Sequence, residues 1–203
     1  VVALVLARDV ALGEACRAEL EAAGHDVQVV DGPDQALGAV EAAEAAGAAP
    51  SGIDALVVVA TGWGEDADLA LLGGVQRLLR AALPAMAARE SGRVVFVVDA
   101  TGLDGESWSD GSGATMWGLV GLARSAAREL APSGVTVNVV RTGPLPGPGE
   151  EPDADVVALT PLRRAGTADD VAAAVGYLVS PDAGYTTGIV LPVDGGLTMG
   201  QGA

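Results

Sequence analysis

The sequence holds a single cysteine, Cys16, and a single histidine, His25. One cysteine excludes an intrachain disulfide and a cysteine metal cluster, and one histidine excludes a multi-histidine metal site. No metal is expected. Aromatic residues are only 3% of the chain, so the core must be built from small aliphatic side chains. No uninterrupted apolar run approaches the ~18 residues that mark a membrane-spanning helix, and no membrane partner is expected. Basic residues are scarce, 11 against 27 acidic, for a net charge of −16. That balance argues against a nucleic-acid backbone as partner and otherwise serves solubility. A basic leader is lacking too. Val1-Val2-Ala3-Leu4-Val5-Leu6 runs into Arg8 and Asp9 and reads as a buried strand rather than a signal peptide. A cytoplasmic location is the default expectation.

What is present is alternation. Short apolar runs rich in β-branched residues occur at Val1–Ala7, Val27–Val30, Ala55–Ala60, Val94–Val98, Val135–Val140 and Ile189–Val193. Such runs suit strands buried on both faces. Ala-rich helical stretches lie between them, at about Gly13–Ala23, Gln35–Ala46, Ala67–Ala88, Ser112–Leu130 and Ala168–Leu178. Gly24 suits a helix C-cap, and Thr167-Ala168-Asp169-Asp170 an N-cap with acids in the first turn. The segment Gly143–Asp155, rich in Pro, Gly and acid, reads as a mobile loop. The 203 residues fit one domain. The pattern predicts a three-layer, doubly wound parallel α/β sheet of about six strands, Rossmann-like, whose ligands bind at the carboxyl ends of the strands. Cys16 falls on the first helix and reads as a small buried residue. His25, in the turn Gly24-His25-Asp26, is expected to be exposed.

Several stretches resemble the short-chain dehydrogenase/reductase family, close to its β-ketoacyl reductase branch. The strongest is Gly121-Leu-Ala-Arg-Ser-Ala-Ala-Arg-Glu-Leu-Ala-Pro-Ser-Gly-Val-Thr-Val-Asn138, which is similar to that family's helix and following strand almost residue for residue. Thr187-Gly-Ile-Val-Leu-Pro-Val-Asp-Gly-Gly196 is similar to its final strand, and Gly92-Arg-Val-Val, Ile53-Asp-Ala-Leu-Val and Pro161-Leu-Arg-Arg-Ala-Gly166 also fit. The resemblance covers most of the chain. It implies an NAD(P)-dependent oxidoreductase by descent.

The chemical positions depart from the family. Its first turn, Thr-Gly-x-x-x-Gly-x-Gly, corresponds to Leu6-Ala7-Arg8-Asp9-Val10-Ala11-Leu12-Gly13. Those glycines let backbone approach a pyrophosphate above a helix N-terminus. Ala7 and Ala11 replace two of them. Gly13 remains, in the packing position. Asp9 and Glu14 add negative charge there, and Arg8 offsets part of it. The family's Asn-Asn-Ala-Gly becomes Val58-Val59-Ala60-Thr61. Its catalytic serine maps to Asp99, the tyrosine and lysine of Tyr-x-x-x-Lys to Ser112 and Met116, and the asparagine to Leu71. A serine is too weak an acid to replace the phenol, and a methionine carries no charge to tune it. Tyr177 and Tyr185 lie on other elements.

Roughly 25 residues are missing between the first helix and that fourth family strand, judged by the usual βαβ length. One family strand is therefore deleted or merged. Asp31 then ends strand two, as a ribose-binding acid, or strand three, on the adenine side, or is a plain strand-end acid.

Three readings follow. The first is a non-catalytic subunit, a pseudoenzyme without bound cofactor, pairing with itself or with an active relative. Family dimers use the helices corresponding to Ala67–Ala88 and Ser112–Leu130, where Gly73, Gly74, Gly118, Gly121, Leu78 and Leu122 permit close packing, between subunits or within the chain. The second is a repurposed non-redox enzyme, a lyase, isomerase or cyclase, using Asp99 at the end of a buried strand. Ser112, Asp110 and Thr142 would share its cleft. Trp63, Trp108 and Trp117 would hold an apolar substrate or pack in a core or interface. The third is an NAD(P)-dependent oxidoreductase with unorthodox residues. The substrate is not legible.

Overall fold

The computed structural model describes residues 2–45, 53–61, 69–99 and 112–199. Six strands form one parallel sheet: β1 (Val2–Ala7), β2 (Asp26–Val30), β3 (Ile53–Val59), β4 (Gly92–Asp99), β5 (Val135–Thr142) and β6 (Val190–Val193). Their order across the sheet is β2-β1-β3-β4-β5-β6. The helices are α1 (Val10–Ala22), α2 (Pro33–Ala45), α3 (Leu69–Ala88), α4 (Ser112–Leu130), α5 (Ala154–Leu159) and α6 (Ala168–Val179).

The central strands are apolar on both faces because helices cover both, as parallel sheets require. Alternation divides each strand between two cores. Val94, Phe96 and Val98 of β4 join Ala36 and Val40 of α2, Val75 and Leu78 of α3, and Leu119 and Ala123 of α4. Val95 and Val97 point the other way, to Leu12, Cys16 and Leu20 of α1 and Val171, Val175 and Leu178 of α6. Among the described residues Phe96 is the largest fully buried side chain; the two cores are otherwise mostly Val, Leu and Ala, as the aromatic scarcity predicts.

Local chemistry sets the helix ends. The Asp9 carboxylate caps α1 at the backbone N–H of Leu12, 3.0 Å away, so the helix starts at Val10 rather than at Gly13. Gly24 follows α1 with φ of +87°, a left-handed position that glycine takes without strain. Thr167 and Asp170 form a reciprocal capping box at α6. The segment Gly143–Asp155 is irregular up to Asp153, which caps the short α5.

The expected strand ambiguity is resolved. β2 pairs directly with β1, Leu6 opposite Val30, so Asp31 follows the second strand of the doubly wound order. Among the described residues no strand lies outside β2, where that order places its third. His25 corrects an expectation: it is half-buried, and its Nδ1 is enclosed without a hydrogen-bond partner. Burial lowers its pKa. No described helix is long and apolar enough to cross a membrane.

Candidate functional site

The carboxyl ends of β1 and β3 meet the N-terminus of α1, the place where this architecture puts an anion. Here the N-cap of α1 is itself an acid, Asp9. One oxygen of Asp9 accepts the Leu12 N–H at 3.0 Å. The other accepts the Thr61 hydroxyl at 3.3 Å. Thr61 is buried at the end of β3, the last residue of the segment that replaces Asn-Asn-Ala-Gly. The carboxylate thus caps one of the free N–H groups of the helix end and is itself held by the Thr61 hydroxyl.

The two alanines that stand at the family's glycine positions differ in their surroundings. Ala7 is buried at the tip of β1. A Cβ placed on Gly13 would lie 2.8 Å from that of Ala7, so Gly13 exists to let α1 pass over the strand. Ala11 is exposed on the first turn. Glu14 does not add charge at the helix start as expected; it turns to Arg17, 2.5 Å away. Arg8 reaches sideways to Asp31, 3.8 Å away. The acid at the end of β2 thus faces a guanidinium of the chain.

Of the positions mapped to the family's catalytic groups, two are apolar and buried among the described residues. Met116 and Leu71 are each 3% exposed and belong to the apolar core beneath α3 and α4, with Val98 and Leu119. Asp99 is half-buried, ends β4, and stands opposite the buried Thr142 of β5. Ser112 is the first residue of α4. Asp110, Trp63 and Trp108 lie outside the described residues. Trp117 is 51% exposed on α4, so it lines no core. Among the described residues no His, Cys, Asp and Glu cluster could hold a metal.

A polar cluster that the sequence reading missed lies at the carboxyl ends of β5 and β6. Arg141 donates to the Thr198 hydroxyl, which donates to Asp194 at 2.5 Å. Burial pushes the Asp194 carboxyl up, but hydrogen bonds from Thr198 and Gly196 and the nearby Arg141 leave it below its ordinary value. The Asp194-Gly195-Gly196 turn was its available sequence signal. Both glycines have positive φ, and the turn folds the chain end back over β5 and β6.

The small residues expected on the helical face divide in two. Leu78 is fully buried. A Cβ on Gly74 would meet Pro33 at 2.5 Å, and one on Gly118 would meet Leu72 at 2.7 Å. These three serve packing within the chain. Gly121 faces outward, where a Cβ would meet nothing within 4 Å, whereas Gly73 is half-buried and a Cβ on it would touch Arg77 at 3.8 Å. Leu122 is half-buried and helps line a groove of about 570 Å³ between α3 and α4.

Comparison with known proteins gives the lineage. A family model described as enoyl-(acyl carrier protein) reductase matches residues 42–198. The 3-oxoacyl-[acyl-carrier-protein] reductase MabA of Mycobacterium avium is 37% identical over 135 residues, 64% of this chain and 53% of that protein. The chain spans about half the length of the curated relatives it matches. Among solved structures, levodione reductase superposes with a TM-score of 0.82 at 24% identity, covering 98% of each chain. An oxidoreductase of the short-chain dehydrogenase/reductase family from Burkholderia thailandensis superposes with a TM-score of 0.80 at 27% identity, covering 98% of this chain and 93% of that one.

Proposed function

Since the chain belongs to the enoyl-(acyl carrier protein) reductase family of short-chain dehydrogenases/reductases, we propose that it is a non-catalytic member. It binds no NAD(P) and transfers no hydride, and it serves as a subunit beside a second copy or an active relative. The observation that carries this reading is the Asp9 carboxylate held between Leu12 and Thr61. A phosphate brought to that helix end meets a fixed negative charge. At about 4 Å such a pair costs about 1 kcal/mol in water and about 4 kcal/mol at a protein surface. The Ala7 methyl beneath Gly13 and the apolar burial of Met116 and Leu71 support the same reading. No group at the mapped tyrosine and lysine positions supplies a proton donor of suitable pKa.

The proposal is tested by assembly and by turnover. The purified chain should oxidise neither NADH nor NADPH with a 3-oxoacyl thioester, and should sediment as, or co-purify in, a complex. A monomer without a partner, or reductase turnover, contradicts it. One observation favours a second reading, a working NAD(P)-dependent oxidoreductase: the 37% identity to a protein named as a reductase. The place of Asp99 opposite Thr142 supports a non-redox enzyme, which loses its centre if Asp99→Asn leaves every measurable activity unchanged.

A further inference from the structure

The outermost strand of a sheet presents a row of main-chain N–H and C=O groups that have no ladder partner. The two edges of this sheet differ. β6 is 4 residues long and carries Pro192, which removes a donor and is one of the ways an edge is blunted. β2 is 5 residues long, Asp-Val-Gln-Val-Val, with neither proline nor lysine. It pairs with β1 in unbroken register, from Val2 opposite Asp26 to Leu6 opposite Val30. Among the described residues no strand pairs with its other side. Val27 and Val29 are half-buried against the core of α1, whereas Asp26 and Gln28, on the opposite face, are exposed. Charge is just as uneven along the chain. Between Arg17 and Arg77 the sequence holds 11 acids and no lysine or arginine. The arginines that reach this side of the sheet are engaged: Arg8 with Asp31, Arg17 with Glu14 and Glu21, and Arg77 with Asp34.

We propose that the free edge of β2 takes up an extended basic segment of another protein as a further strand of the sheet. The added strand occupies the position that the doubly wound order gives its third. The inference goes beyond the subunit reading, because it holds for an active and for an inactive chain alike. In such strand addition, main-chain hydrogen bonds give affinity and alternate side chains give specificity. Side chains of a strand alternate between faces, so the segment that fits alternates too. It sets apolar residues beside Val27 and Val29, and lysine or arginine beside Asp26 and Gln28. Charge selects the occupant. A second copy, paired through its own β2 about a two-fold axis, brings the same acidic stretch against this one, with Arg8, Arg17 and Arg77 already engaged. A basic segment meets the opposite field and is steered towards the edge. A nucleic-acid backbone is repelled by it.

The test uses labelled synthetic peptides of about nine residues with valine on one face of the strand and lysine on the other, beside a counterpart with glutamate for lysine. Each is titrated into the intact chain. Fluorescence anisotropy reads binding, and amide hydrogen exchange reads its place. The lysine peptide should bind with a dissociation constant below about 1 mM, and it should slow exchange in β2. The glutamate peptide should not bind. Raising salt from about 50 to about 500 mM should weaken the lysine peptide about threefold or more. N-methylation separates main-chain pairing from simple charge attraction. Methyls on one alternate set of peptide amides should abolish binding, and methyls on the other set should leave it within about threefold, because only one edge of the peptide pairs. The Asp26→Lys, Gln28→Lys variant changes two exposed side chains and should bind the lysine peptide at least about tenfold more weakly. Gln28→Glu should bind it about twofold or more tightly, a gain that misfolding does not produce. No binding of the lysine peptide, equal binding of the glutamate peptide, equal effects of the two methylation sets, or protection confined to other elements overturns the proposal. So does a wild-type dimer that the double-lysine variant dissolves, which gives the edge to a second copy.

Discussion

Gly13→Ala puts a methyl 2.8 Å from the Cβ of Ala7, where α1 crosses the tip of β1. Both carbons are held by backbone, so neither can swing aside; the helix must lift. Overpacking of this kind costs about 1–3 kcal/mol. Replacing a helical glycine by alanine returns about 1 kcal/mol, which leaves a net loss of about 0–2 kcal/mol. That small net value makes the single variant a weak test, and a double-mutant cycle a strong one. Ala7→Gly removes the opposing methyl. In the double variant the clash is gone while the helix keeps its gain, so the two changes should couple by about 1 kcal/mol or more. Urea unfolding of the four proteins under one set of conditions measures it. Additivity within about 0.3–0.5 kcal/mol would refute the contact, and with it the argument that the first turn is closed by side-chain carbon.

Three further outcomes follow from the same geometry. Asp9→Ala should cost about 1 kcal/mol through the lost cap, whereas Asp9→Asn should retain most of it; equal losses in denaturant midpoint would contradict the capping role. The guanidinium of Arg164 holds the Asp170 carboxyl far below the usual carboxylate range, helped by Thr167. A depressed folded-state pKa contributes stability above the unfolded value and loses it in acid. The gap in Tm between the wild type and Asp170→Asn should therefore narrow as the pH falls from about 4 towards about 2, and a gap that widens would reverse the sign. Burial, with Asp9 and Glu19 nearby, pushes the Cys16 thiol up to about 12. Alkylation near pH ~8 should thus be slow in the native chain and fast in denaturant; rapid native labelling would place the thiol at the surface.

The sheet and its long helices were legible because the central strands are apolar β-branched runs and the long helices Ala-rich stretches bounded by turn residues; the short α5 was not foreseen. Boundaries moved where one side chain decides them. The α1 start depends on Asp9 acting as a cap, a signal present as Asp9 ahead of a helical run and left unused. The end of β2 was ambiguous because only pairing with β1, not sequence, distinguishes a second strand from a third. The site was less legible. Thr61 and Asp9 are 52 residues apart, and their bond exists only once β1 and β3 pair. Met116 and Leu71 are apolar in the sequence itself, but their place in the core beneath α3 and α4 needed the fold. The glycines of α3 and α4 looked alike in sequence; Pro33 and Leu72 show that Gly74 and Gly118 belong to internal packing, while Gly121 faces out.

The central claim is that the dinucleotide seat is closed by the chain's own residues. Calorimetric titration of the purified chain with NADH and with NADPH, carried to millimolar concentration alongside Tm, tests it most directly. The account predicts no binding heat and no rise in Tm with either nucleotide. Saturable binding in the micromolar range, with the Tm increase that mass action requires, would contradict it.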